Sequence, residues 1–408
     1  MSTITAPAQA GTSAPARWGG VFALALGAFA LVASEFMPVS VLTPIARELH
    51  VSEGQAGQAI TISGLFALVT SLCIARLAGR LDRKLLLCAL TVLMILSATV
   101  AAFAPNYGMF MAGRALIGVA IGGFWSLSAA TAIRLVPEPR VPRALAVVNG
   151  GNALATVLAP PVASLLASAV GWRWAFFCLV PVAALALAWQ FVSMPAMKPA
   201  ESAKPANVFG LLKDARVAAG MAAVSLFFMG QFSLFTYLRP FLEQAAGVDA
   251  STLSAVLLAI GISGFVGTIL IGPFLKGALY RTLVAIPLMM AGIAIGLPVV
   301  ATSMGGTVAL LIVWGLIGTA APVAWWTWVA RTLPGDAEAG GGLMVAVVQL
   351  AIGGGAAVGG LLFDRFGYEA TFTTSGLILM LAAAIAWVAG RAAYKARSER
   401  SAYGSAVA

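Results

Sequence analysis

Two ionisable side chains stand deep inside the apolar stretches of this 408-residue sequence: Glu35 in the first and Arg114 in the fourth. A charge in hydrocarbon costs on the order of several kcal/mol unless it is paired or lines a water path, which makes such a residue a functional candidate by default. The chemistry open to the pair is proton exchange. Burial favours the neutral form of a carboxylic acid and a neighbouring guanidinium favours its charged form, so the balance can shift with conformation or a bound substrate. A permanent structural ion pair is the alternative. Each residue lies about seven positions from the outer end of its stretch, roughly 10 Å deep at 1.5 Å per residue, so the two can meet if their helices are neighbours.

The stretches are long enough to span a bilayer, which takes about twenty apolar residues per helix. Hydrophobic residues make up 61% of the chain and charged ones 9%, with mean hydropathy +0.98, far from the soluble balance of roughly a quarter charged. Twelve spans are predicted, at 19–43, 53–76, 84–104, 107–133, 144–168, 174–193, 217–239, 251–274, 282–302, 307–330, 341–363 and 370–390. The expected fold is an all-α membrane protein of two six-helix bundles. Its expected parts are a disordered cytoplasmic N-terminus (1–18), an N-terminal bundle (19–193), a cytoplasmic linker (194–216), a C-terminal bundle (217–391) and a cytoplasmic tail (392–408).

Nineteen of the 24 Lys and Arg fall at one side of these spans, including Arg76, Arg80, Arg83 and Lys84. The positive-inside rule puts that side, and both termini, in the cytoplasm. The net charge of +10 is explained by this asymmetry and implies no nucleic acid partner. Cys73, Cys88 and Cys178 lie in apolar runs without a CxxC pair, and His50 is the single histidine; neither a disulfide framework nor a metal site is signalled. No phosphate loop, HExxH or serine elbow appears, so no enzyme, cofactor or metal is expected.

The halves repeat at an offset near 200. Ile62-Ser63-Gly64 returns as Ile262-Ser263-Gly264, Leu116-Ile117-Gly118 as Leu316-Ile317-Gly318, and Ala146-Val147-Val148-Asn149 as Ala346-Val347-Val348-Gln349. Aligning Pro44 with Pro240 sets Glu35 on Gln231, and Arg114 falls on Trp314. Intramembrane charge thus belongs to the first half alone. A parallel repeat suits a transporter whose halves rock about a central site. The polar candidates to contact substrate there are Asn149, Asn152, Gln231 and Gln349, whose amides both donate and accept. Trp125, Tyr237 and Trp325 are the candidates to stack on a flat ring. Packing between helices is the alternative for all of them.

Asp82-Arg83-Lys84 after span 2, Arg114 with Gly118 in span 4, and Ala159-Pro160 in span 5 resemble motifs of the major facilitator superfamily, drug:proton antiporter type. The loop motif is degenerate, with Ala78 in place of a leading glycine. The strings EFMPVSVLTP, GRALIGVAIGGFWSLSA, RLVP and GQFSLFTYLRP resemble bacterial efflux pumps for purine ribonucleosides, with sugar efflux transporters as near relatives. The resemblance implies proton-coupled efflux of inosine- or guanosine-like compounds by a monomer in the lipid bilayer, with Glu35 and Arg114 coupling the proton and Asp82 and Arg83 gating. Export of sugars or amphipathic drugs is the nearest alternative, and a receptor or channel a more distant one.

Overall fold

The computed structural model describes residues 16–78, 81–197, 208–333 and 337–407. Among them the chain is helical throughout, in α1 (Trp18–Ser40), α2 (Leu42–Glu48), α3 (Glu53–Ala78), α4 (Arg83–Ala102), α5 (Tyr107–Leu135), α6 (Val141–Val170), α7 (Trp172–Phe177), α8 (Leu179–Ser193), α9 (Ala215–Phe235), α10 (Leu238–Ala245), α11 (Ala250–Leu270), α12 (Gly272–Val299), α13 (Met304–Gly318), α14 (Ala321–Thr332) and α15 (Ala337–Val407). Polar side chains start several of them. Asn106 accepts from Met109 N (2.9 Å), Asp214 from Arg216 N (2.8 Å) and Asp249 from Thr252 N (2.9 Å), each satisfying one of the free donors of a first turn.

Twelve crossings result. The apolar part of α15 runs 53 residues, Ala339–Arg391, which as one rod would measure about 80 Å, far more than one bilayer core. It folds back at Gly367, whose φ of +78° lies where a side chain is disfavoured. Four other crossings are broken in the middle or near an end, and each break is followed within three residues by a proline: Pro44 in α2, Pro181 in α8, Pro240 in α10 and Pro322 in α14. Proline lacks the N–H that would continue the ladder but is tolerated in the first turn of the next helix. The connection after α11 is also helical, bent at Ala278 (φ −137°, ψ 36°), where the sequence suggested a loop. At the C-terminal end helix continues to Val407. The N-terminal segment 1–15 and the middle of the linker, 198–207, lie outside the described residues.

Helices α1 to α8 pack on one another, as do α9 to α15. The first core gathers Leu24, Ile117 and Phe124, the second Phe227, Trp314, Trp328 and Phe372. Close helix approach follows from small residues: a Cβ on Gly122 would lie 2.2 Å from the Ala67 carbonyl, and one on Gly267 only 1.8 Å from the Leu316 carbonyl. These two contacts join α5 to α3 and α11 to α13, corresponding pairs in the two halves. The bundles meet along α3 against α15 and α6 against α11.

Candidate functional site

Arg114 is fully buried on α5, and its guanidinium fastens α1 and α3 through main-chain oxygens. Nη1 donates to Ser34 O (2.8 Å), Nη2 to Glu35 O (2.9 Å) and Nε to Ala59 O (3.3 Å). The reason for the shortest bond is in the sequence. The carbonyl of Ser34 would accept from residue 38 in a regular helix, and residue 38 is proline, which has no N–H to give. Arg114 takes that vacated acceptor. Ser63 Oγ returns a bond to the Arg114 carbonyl (3.0 Å).

The expected meeting of the two charges therefore takes a different form. Arg114 reaches Glu35 at its backbone, while ion pairs elsewhere join Arg173 to Glu48, Arg216 to Asp214 and Arg239 to Glu243. The donors of the guanidinium, held in a fixed fork, are spread over carbonyls of two helices. The Glu35 carboxylate, on a residue only 6% exposed, instead accepts from Gln349 Nε2 of α15 at 3.2 Å. This bond crosses between the bundles. Gln349 Oε1 and Ser34 Oγ are buried with no partner. Next along α1, Phe36 stacks on Phe232 of α9 with ring centres 5.4 Å apart.

The other candidates are scattered. Asn149 on α6 is exposed and returns Nδ2 to its own helix at Leu145 O (3.0 Å); Asn152 is half-buried one turn on. Trp125 on α5 is half-buried, edge-on to Phe124. Gln231 turns toward α13 of its own bundle, since a Cβ on Gly318 would stand 3.3 Å from its Nε2, and its Oε1 has no partner. Trp325 packs inside the second core, edge-on to Trp328, which in turn lies over Gly220. Tyr237 is fully buried at the break between α9 and α10, stacked on Phe363, with Oη donating to Ala356 O at 2.7 Å and 3.5 Å from Gly54 O. In this conformation Trp325 and Tyr237 thus face protein and not an open cavity. Asp82 caps α4 through Lys84 N (2.7 Å), and the Arg83 amide bonds Met197 O (3.1 Å).

Tyr237 belongs to an end at which the bundles are shut. There Asp364 of α15 accepts from Ser52 Oγ (2.5 Å) and Gly54 N (2.9 Å) at the start of α3. Gln244 Nε2 donates to Glu53 (2.9 Å). Arg239, only 6% exposed, donates Nη1 to the Ser40 carbonyl and Nε to Glu243 (2.9 Å). Thr61 Oγ1 to Gly353 O (2.9 Å) and Glu35 to Gln349 mark mid-depth. All of these bonds between the bundles lie at this end or at mid-depth. Neither Asp364 nor Arg239 was singled out as a candidate from the sequence. The available signals were Ser52-Glu53-Gly54-Gln55, a capping box, and Pro44, four residues after Ser40.

Two bundles of six crossings, related by a repeat, sealed at one end and holding a buried carboxylate at mid-depth, define a membrane transporter fold. The chain belongs to the Major Facilitator Superfamily, whose family model matches residues 24–353. It is 58% identical over 381 residues to the transcription regulatory protein OpdE of Pseudomonas aeruginosa, a match covering 92% of this chain and 94% of that one. It is 39% identical over 368 residues to the purine ribonucleoside efflux pump NepI of Salmonella paratyphi C, covering 90% and 93%. Among solved structures, a bacterial homologue of the human lysosomal transporter Spinster, inward-facing and occupied, superposes with a TM-score of 0.75 at 15% identity over 93% of this chain and 98% of that one. The human organic anion transporter MFSD10 gives 0.63 at 16% identity, over 91% and 100%.

Proposed function

We propose that this protein exports purine ribonucleosides such as inosine and guanosine across the bacterial inner membrane in exchange for protons, its two bundles rocking about a central site. The observation that carries the reading is the Glu35 carboxylate, buried in the seam and held by a single hydrogen bond to the opposite bundle. A carboxyl so placed trades that bond for a proton when the bundles part, which ties protonation to the movement. Arg114, spent on backbone oxygens, holds α1 in place and leaves the carboxyl free to do so. The efflux pump NepI, alike over most of the chain, supports the substrate class.

The excess of Lys and Arg, including Arg134, Arg140, Arg143, Lys276, Arg281 and Arg331, lies at the end opposite the contacts of Asp364 and Arg239. The positive-inside rule makes that end cytoplasmic, so the conformation described faces inward, open to loading. Asn149, Asn152 and Trp125 on α5 and α6 supply contacts to ribose hydroxyls and a purine face. Gln231, Tyr237, Trp325 and Gln349 join them only after the bundles move. Asp82 and Arg83 gate the cytoplasmic end. The domain limits drawn from the sequence, 19–193 and 217–391, are those of the rocking bodies.

The test is transport in proteoliposomes. Labelled inosine should move against an imposed pH gradient, and Glu35→Gln should abolish the gradient dependence while leaving exchange of inosine across the membrane. Full gradient-driven transport by Glu35→Gln would rule out the carrier role. Displacement of label only by sugars or cationic drugs would overturn the substrate. A second reading comes from the regulatory name of OpdE: a membrane sensor whose movement alters transcription. It would be favoured if ligand bound without any flux and deletion changed transcript levels alone.

A further inference from the structure

The geometry points to Asp364 and Arg239 as a two-point latch that holds the closed end shut. Both side chains belong to the second bundle, and both grip main chain at a helix end of the first. Asp364 sets its carboxylate on the N-terminus of α3 through Gly54 N (2.9 Å) and Ser52 Oγ (2.5 Å). Arg239 sets its guanidinium on the Ser40 carbonyl at the C-terminus of α1. The signs are complementary in each case, because a helix start is partially positive and a helix end partially negative, and charge-assisted bonds are the strong ones.

Three observations separate a latch from ordinary helix capping. First, α3 is already capped without Asp364: Ser52 Oγ accepts from Gln55 N (3.0 Å) and Gln55 Oε1 from Ser52 N (3.0 Å). The carboxylate adds a bond between bundles to a helix that does not need it. Second, the Ser40 carbonyl is free because its partner four residues on would be Pro44, without an N–H. The second bundle supplies what α1 cannot. Third, the approach has been cleared: a Cβ on Gly54 would lie 2.3 Å from Asp364 Oδ2 and 2.4 Å from the Gly360 carbonyl. Buried Tyr237, bonded to Ala356 O beside Gly54, fills the space behind.

The latch rests on the proposal that the bundles rock, and not on which substrate they carry. Purified full-length protein in lipid nanodiscs, with Cys73, Cys88 and Cys178 replaced by alanine, would carry spin labels in pairs. Val170→Cys with Glu369→Cys reports the closed end and Arg140→Cys with Arg281→Cys the other; all four sites are exposed. Asp364→Asn and Arg239→Gln should each raise the ratio of long to short distances at the closed end about tenfold, the scale of one lost charge-assisted bond, and shorten distances at the opposite end. Arg365→Gln, an adjacent exposed charge, should change neither. Gly54→Ala, which favours the helix but displaces the carboxylate, should act as Asp364→Asn does and covers the case in which that variant fails to fold. Unchanged distances in folded Gly54→Ala and Arg239→Gln would overturn the latch. A single distance at both ends in every variant, with or without a pH gradient, would overturn the rocking itself.

Discussion

Replacing Arg114 by methionine tests whether proline really hands a carbonyl to the guanidinium. The substitution removes three donors, but the three acceptors do not suffer alike. Glu35 O keeps its helical partner at Val39, and Ala59 O keeps Ser63 Oγ (2.8 Å). Ser34 O keeps nothing, because Pro38 has no N–H, and a buried acceptor without a partner costs about 1–3 kcal/mol. Pro38→Ala restores that N–H. In the Arg114→Met background it should therefore recover stability, whereas with Arg114 present the carbonyl is already satisfied and the gain should be small. The double variant should be less destabilised than the sum of the single ones by about 1–3 kcal/mol. Unfolding midpoints of the four proteins in mixed detergent micelles, titrated with dodecyl sulfate, give the coupling. Additivity within about 0.3–0.5 kcal/mol, the range for independent sites, would refute the argument.

Other outcomes follow from the same contacts. Gln349→Leu removes the partner of the Glu35 carboxylate across the seam and should shift the pH dependence of inosine transport, measured in proteoliposomes from pH 5 to pH 8, without abolishing binding. Gly57→Leu would drive a side chain into Tyr237, whose Oη would lie 2.1 Å from an added Cβ. It should prop the closed end apart, read as faster labelling of a cysteine at Ala56 by a membrane-impermeant maleimide. Asp249, which accepts from Thr252 N, Thr252 and Ser251, has its carboxyl pulled down to about 2. A depressed value stabilises the fold above the unfolded carboxyl's pKa of about 4 and loses that contribution as pH falls towards 2. Asp249→Asn should flatten the fall of the thermal midpoint across that window while leaving the midpoint at pH 7 slightly lower.

The crossings were legible because apolar length is a one-dimensional property of a helix in lipid. The repeat was legible because both halves carry the same small residues at the same depth. What lay hidden was direction. The matched depth of Glu35 and Arg114 suggested a pair, yet the spacing of residues along two helices cannot say whether a long side chain ends on a carboxylate or on the backbone beside it. Trp325 could be read from the sequence as a ring stacker or as core, and only its packing against Trp328, which lies over Gly220, decides for core in this conformation. Asp364 went unnoticed because its partners are a hydroxyl and an amide 310 and more residues away, with no opposite charge in the sequence to suggest them. Pro38 and Pro44 did carry the information. Each one, read as a missing donor and not only as a kink, predicts an unclaimed carbonyl four residues earlier, and each is claimed by an arginine.

That arrangement bears on how variation at the site would look. The guanidinium of Arg114 holds main-chain oxygens of Ser34, Glu35 and Ala59, atoms that every amino acid possesses. The side chains at those positions can therefore be exchanged, within the limits of size, without loosening the clasp. Searches for correlated substitutions would pass over Arg114, since no partner residue has to change with it. The position to watch is Pro38, where a single replacement would retire the acceptor that makes the arginine necessary.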